Sequence, residues 1–320
     1  MRVGLKLNER AAAIADAMVV EADILGIRET TLPDGARILD CGIGAKGGLE
    51  AGRMLAEVCL GAAGRVGFAS WEFGGLRLPG VNVRTDHPAI ACLGSQYAGW
   101  AIKPEGYFAM GSGPLRAVAR VEKELFERLE YGEPASGYGV LVLESRTLPT
   151  DAVAAYVAQR SGVPPERLTF LVAPTASPAA TVQISARVVE TALHKMAELG
   201  FDVRTIVTGF GTAPLAPIAK SDLRAIGRTN DCILYGGSVH LSILGSDDEL
   251  SALAPRIPSS SSRDYGTPFY DLFERYGGDF YKVDPLLFSP AQVTLTNLAS
   301  GRTFEAGSLN PDILRASLFS

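Results

Sequence analysis

Four polar residues recur at regular intervals through one apolar segment. In VQISARVVETALHKM, residues 182–196, Gln183, Arg187, Glu190 and His194 follow one another at spacings of four, three and four. The segment contains no Gly or Pro, so the spacing predicts a helix over 182–196 with all four groups stacked on one face. Its other positions are largely apolar: Val182, Ile184, Ala186, Val188, Val189, Ala192, Leu193 and Met196. A helix that is apolar almost all round is buried, and a buried Arg or Glu is costly unless paired or put to use. The stripe is therefore expected to line a cleft that does chemistry with an Arg/Glu pair and no metal. Spacing alone fits a plain surface ion pair equally well, worth only a few tenths of a kcal/mol. His194 reads as a partly buried, satisfied histidine rather than a catalyst.

A second candidate is LDCGIGAKGGLEAG, from Leu39 to Gly52: a strand, a glycine loop and a helix. It imitates the nucleotide-binding turn of a methyl-donor-dependent methyltransferase, in which backbone amides and a helix N-terminus meet the ligand. The glycines run GxGxxGG, which departs from the dinucleotide fingerprint, and a tight packed turn accounts for them as well. Three further stretches, AIACLGSQYAGW, GYFAMGSGPLRA and IVTGFGTAPLAP, interleave Gly, Ser, Thr and Pro with aromatics. Loops of that kind offer amides and aromatic walls to a planar ligand with anionic appendages. GRTNDCILYGG adds Arg228, Thr229, Asn230 and Asp231 before a strand, and SSSSRDYGTPFYDLF adds Ser261, Arg263, Asp264 and Tyr265 on a loop, as polar cleft edges or solvated turns. No GxSxG elbow, P-loop or HExxH motif appears.

The elements that position these residues alternate irregularly. Helices are expected at 8–26, 114–131, 150–161 and 220–227. Strands are expected at ARILDC, RVGFASWEF, VNVRTD, GVLVLES, LTFLVAP, VRTIVTGFG and within DCILYGGSVHLSIL, with a terminal hairpin from QVTLTNL and RTFEAG. The class is α+β, or irregular α/β, with two lobes around a deep inter-lobe pocket. The break near 132–137 divides an N-terminal lobe, 1–135, from a C-terminal lobe, 136–320, that carries the polar-striped helix; the chain is allowed to cross between them. Of the 320 residues, 47% are hydrophobic and 20% charged, which suits a globular protein with a sizeable core. The net charge of −5 and the lack of a basic run give nucleic acid and anionic membranes no footing. Four scattered cysteines read as free thiols in a reducing compartment, and with only three histidines, none at ligand spacing, no zinc site is expected. No signal peptide or 18-residue apolar run is found, so a cytoplasmic protein is expected.

Taken in order, DCGIGAKGGLEAG, ACLGSQYAGW, FAMGSGPLRA, VQISARVVETALHKM, GRTNDCILYGG, DYGTPF, DFYKVD and LFSPAQV resemble the methenyltetrahydromethanopterin cyclohydrolase family over nearly the whole chain. One departure is Ala180, where the family usually has Gly. The resemblance implies reversible hydrolysis of 5,10-methenyltetrahydromethanopterin to the 5-formyl compound in the one-carbon metabolism of methanogens and methylotrophs. It also implies a homotrimer, no metal or redox cofactor, and catalysis by Arg187 and Glu190. Glu190 would take a proton from water, and Arg187 would hold the carboxylate. The expected substrate-binding set is Gln183, His194, Ser95, Gln96, Tyr97, Lys103, Ser112, Arg116, Thr175, Arg228, Asn230, Asp231, Arg263 and Tyr265. Lys103, Arg116, Arg228 and Arg263 are the candidates for the anionic tail. A methyltransferase, or a pterin carrier without turnover, would be the rival readings.

Overall fold

The computed structural model describes residues 4–135, 137–278 and 282–319. Ser136, beside the expected break, and Asp279, Phe280 and Tyr281 of the DFYKVD stretch lie outside the described residues. The chain opens with α1 (Leu7–Val20), α2 (Ala22–Leu25), β1 (Arg28–Thr31), β2 (Arg37–Asp40), α3 (Leu49–Cys59), β3 (Arg65–Phe73) and β4 (Leu76–Thr85). A π-helix (Ala89–Gln96) leads to β5 (Trp100–Ile102), β6 (Ala109–Ser112), α4 (Arg116–Ala119), α5 (Lys123–Leu129), β7 (Gly139–Glu144) and α6 (Asp151–Ser161). Next come β8 (Leu168–Ala173), α7 (Pro178–Ser185), α8 (Val188–Glu198), β9 (Ile206–Pro214), α9 (Asp222–Gly236) and β10 (Ser238–Ile243). The last elements are α10 (Asp247–Leu253), α11 (Phe269–Arg275), β11 (Gln292–Asn297), β12 (Thr303–Gly307) and α12 (Pro311–Phe319).

These elements build an α+β molecule with two mixed sheets, each in its own compact unit. One unit combines Met1–Arg65 with Ile90–Gln183, the other Val66–Ala89 with Ile184–Ser320, so the chain crosses at 65/66, 89/90 and 183/184. Single-sequence reasoning puts one division at 135/136 and allows for crossing.

In the first unit the strand order is β1-β2-β8-β7-β6-β5. The central trio β2, β8 and β7 is parallel and its flanks are antiparallel. GVLVLE and LTFLVA are buried at almost every position, as parallel strands covered on both faces must be. Ile38, Trp100, Leu141 and Phe170 pack there with Val153 and Val157 of α6. In the second unit the order is β12-β11-β10-β9-β4-β3. β11 and β12 form the expected antiparallel hairpin, while β10 runs parallel to β11 and antiparallel to β9. Its core joins Trp71, Leu78, Leu234, Tyr235, Phe269 and Leu314, and the Trp71 indole donates to Gly236 O at 3.1 Å.

Four local expectations change. The helix over 182–196 is two helices, α7 and α8, broken at Ala186 and Arg187. The helix over 114–131 is also divided, with Arg120 in the left-handed region at φ 46. That break lets Glu122 fold back onto Arg116, a pairing that six residues of continuous helix would place on different faces. DCILYG is the end of α9 rather than a strand: Cys232, Leu234 and Tyr235 are buried, and a short apolar run does not distinguish the two states. The ACLGSQ stretch is π-helical rather than a loop.

Candidate active site

The break between α7 and α8 decides where the polar stripe goes. α7 starts with Pro178 at its first position, and Ser177 Oγ accepts from Ala180 N at 3.2 Å as its cap. Ala180 therefore sits inside a helical turn, where alanine is the favoured residue. Past the break, Arg187 N donates to Ile184 O at 3.0 Å and Thr191 N to Arg187 O at 2.9 Å. Arg187 is thus the N-cap of α8, with near-helical φ −82 and ψ 3, and Glu190 lies in the first turn. Gln183 belongs to α7, so the expected single stripe is split. Burial is as anticipated: Gln183 is 3% exposed, Arg187 9% and Glu190 4%, while His194 is half-buried. The positive end of α8 favours a carboxylate at Glu190.

The head of α8 is seated by glycine. A Cβ at Gly211 would lie 2.8 Å from both Val188 Cγ1 and Val189 Cγ2, and one at Gly209 2.9 Å from Val189 Cγ1. β9 thus presents bare backbone where the first turn of α8 lies against it. Farther along the helix, Lys195 is 1% exposed. Its Nζ donates to Pro258 O and Ser261 Oγ, each at 2.8 Å. Burial lowers its pKa from 10.5 to about 8, with the Asp284 charge opposing the shift. Sequence reasoning passed over Lys195 because it falls off the four-residue stripe.

In the first unit, three expected residues converge on Cys59, which the sequence did not single out. Ser95 Oγ donates to Cys59 O at 2.6 Å. Cys59 Sγ lies 3.6 Å from Ser112 Oγ and donates toward Gln183 Oε1 at 3.7 Å. Gln96, at the end of the π-helix, is fully buried. Arg116 is also fully buried. Its guanidinium meets Glu122 at 2.7 Å, donates to Leu93 O and Ser95 O at 3.1 Å, and lies over the rings of Tyr97 and Phe126. Expected as an anchor for an anionic tail, it instead braces the last turn of the π-helix. Thr175 Oγ1 donates to Glu144 at the carboxyl ends of β7 and β8. Lys103 is exposed after β5.

The glycine turn carries its own anion. Asp40 Oδ1 accepts from Gly42 N at 3.0 Å and Ile43 N at 2.7 Å, and Oδ2 from Gly44 N at 2.7 Å and Ala45 N at 2.9 Å. Burial works to raise the Asp40 pKa, but the four amide donors outweigh it and hold the group below the usual carboxylate range. The amides a methyl donor or nucleotide would use are already engaged, which removes the support for the methyltransferase reading.

In the second unit the expected residues are dispersed. Asp231 is fully buried rather than at a cleft edge. It accepts from Phe269 N at 3.0 Å and from Ser317 Oγ at 2.6 Å, and burial pushes its pKa up to about 8. Asn230 Nδ2 donates to Ile226 O at 2.8 Å. Arg228 lines a cleft of about 360 Å³ with Arg224, Tyr270 and Asp271. Tyr265 packs against Tyr235 with ring centroids 5.2 Å apart, and its hydroxyl accepts from Asn310 Nδ2 at 3.3 Å. Arg263 is exposed. Among the described residues, no group of three or more His, Cys, Asp or Glu is arranged to hold a metal ion, and no helix is long and apolar enough to cross a membrane.

The family described as "Cyclohydrolase (MCH)" matches residues 6–318. Three relatives are named methenyltetrahydromethanopterin cyclohydrolase. One from Methanococcoides burtonii is 43% identical over 314 residues, covering 98% of both chains. One from Methylobacillus flagellatus is 45% identical, covering 97% of this chain and 94% of its own. One from Xanthobacter autotrophicus is 46% identical, covering 98% and 92%.

Proposed function

The chain belongs to the methenyltetrahydromethanopterin cyclohydrolase family, and from that premise we propose that it hydrolyses 5,10-methenyltetrahydromethanopterin to 5-formyltetrahydromethanopterin. The observation that carries the catalytic assignment is the burial of Arg187 and Glu190 together at the head of α8. Burial makes a charged pair expensive to keep unless it is used.

The substrate carbon is an amidinium between two nitrogens and is electrophilic without a metal. Glu190 takes one proton from the attacking water, so a C–O bond forms and the cation becomes a neutral adduct. General-base help of this kind contributes typically about 10²- to 10⁴-fold. The protonated Glu190 then delivers its proton to N10 as the C–N10 bond breaks. The adduct's hydroxyl proton leaves to solvent, the formyl C=O forms, and the balance is one water consumed and one proton released. Arg187 holds the carboxylate and steadies the developing oxygen. The reading includes no metal or redox cofactor, and a homotrimer that sedimentation would test.

Loss of the methenyl absorbance on adding purified protein tests the activity. Glu190→Gln is expected to fold normally and to lose roughly two orders of magnitude or more in kcat. A wild-type chain that leaves the absorbance unchanged overturns the activity, whereas an active wild type with an equally active Glu190→Gln overturns only the role of Glu190.

A further inference from the structure

Lys195 is a buried cation that the hydrolytic steps do not use. Met or Leu would fill a similar space without the cost of desolvating an ammonium. What the lysine adds is a fixed pair of hydrogen bonds, at 2.8 Å each, to Pro258 O and Ser261 Oγ. The stretch it grips has little regular structure. Within it Ser261 N bonds Pro258 O, Ser262 N bonds Ser259 O, and Tyr265 N bonds Ser262 O, all of them local turns. Ser261 Oγ passes the connection on to Arg256 O at 2.8 Å.

Beyond the lysine, the stretch is held by buried Ser259, whose N donates to Pro290 O at 3.0 Å and whose Oγ donates to Leu234 O, and by two carboxylates. Ser262 Oγ donates to Asp284 Oδ2 at 2.6 Å, and Asp284 N donates to Asp264 Oδ2 at 2.8 Å. Tyr276 Oη donates to Asp264 Oδ1 at 2.7 Å. Arg263 and Tyr265 ride on this framework, and Lys195 supplies a tie from it to α8.

We propose that Lys195 is a positioning residue for the reaction: it fastens the Pro258–Tyr265 stretch to the helix that carries Glu190, so that the groups binding substrate and the group activating water keep a fixed separation. This rests on the cyclohydrolase reading and extends it to a residue that does not touch substrate.

The test uses the full chain with Lys195→Met and, separately, Ser261→Ala, which removes one acceptor of the clamp at an exposed position and stands in should the first variant fail to fold. Hydrogen exchange of the peptide spanning 257–267 is expected to quicken roughly tenfold or more in both variants, the scale of one lost charge-assisted hydrogen bond. The peptide containing β7 should be unchanged. With 5,10-methenyltetrahydromethanopterin, KM is expected to rise by about the same factor while kcat changes little, the pattern of lost substrate binding rather than lost chemistry. Unchanged exchange in both variants overturns the clamp. Faster exchange with unchanged KM overturns its role in the reaction. A wild type without turnover would count against the cyclohydrolase reading itself, with the exchange result still deciding whether the clamp exists.

Discussion

Arg187 and Glu190 are buried, and burial makes their chemical identities strict. A guanidinium offers a planar fork to a carboxylate, whereas an ammonium is a point donor. Arg187→Lys is therefore expected to keep the fold and lose roughly a hundredfold in kcat/KM, the scale of one charge-assisted contact made in the transition state. Wild-type kcat/KM in that variant would make Arg187 a structural partner only. Asp231 shows burial acting in the opposite direction, since its pKa rises from 3.8 to about 8. The folded chain then holds a proton that the unfolded chain releases. Its contribution to stability is full below about pH 4 and is lost as pH rises toward 8. Asp231→Asn should flatten that part of the stability–pH curve in denaturant titrations, and a parallel curve would refute the assignment. The burial of Arg187 and Glu190 was legible because charge is conspicuous in an apolar helix. Asp231 was not, because a carboxylate before an apolar run reads as a turn. Lys195 was not, because its partners lie more than sixty residues away at Pro258 and Ser261.

Elements set these side chains in place through contacts that single-sequence periodicity does not encode. The head of α8 depends on β9 having no side chain at Gly209 and Gly211. Gly211→Ala would gain about 0.4–1 kcal/mol by restricting the unfolded chain, but the new methyl meets Val188 and Val189 at 2.8 Å. Overpacking of that kind costs about 1–3 kcal/mol, so the variant should be less stable by denaturant titration. Its kcat should fall more than its KM rises, because Glu190 is displaced. Unchanged stability and kcat would mean that α8 adjusts freely. The strands GVLVLE and LTFLVA and the terminal hairpin were readable from composition and turn residues. The breaks at Ala186–Arg187 and Arg120 were not, because neither carries Gly or Pro; the second is tied to the Arg116–Glu122 ion pair.

Over the whole molecule, composition pointed to a chain with a sizeable core and the irregular mix of helices and strands pointed to α+β, and the two mixed sheets agree. The order in which the chain supplies its strands was not visible from periodicity, because β-pairing across long separations leaves no local trace. That order has a consequence for biosynthesis. β4 ends at Thr85, yet its neighbour β9 begins only at Ile206. While the ribosome makes the residues between them, at about 5–20 per second, β4 waits with an unpaired edge, the kind of surface that recruits other nascent chains. A fragment ending at residue 183 would hold β4 in that waiting state permanently. Expressed alone, it should collect in the insoluble fraction or on chaperones, whereas the full chain should not. A soluble, monomeric, folded fragment would show that β4 needs no such partner.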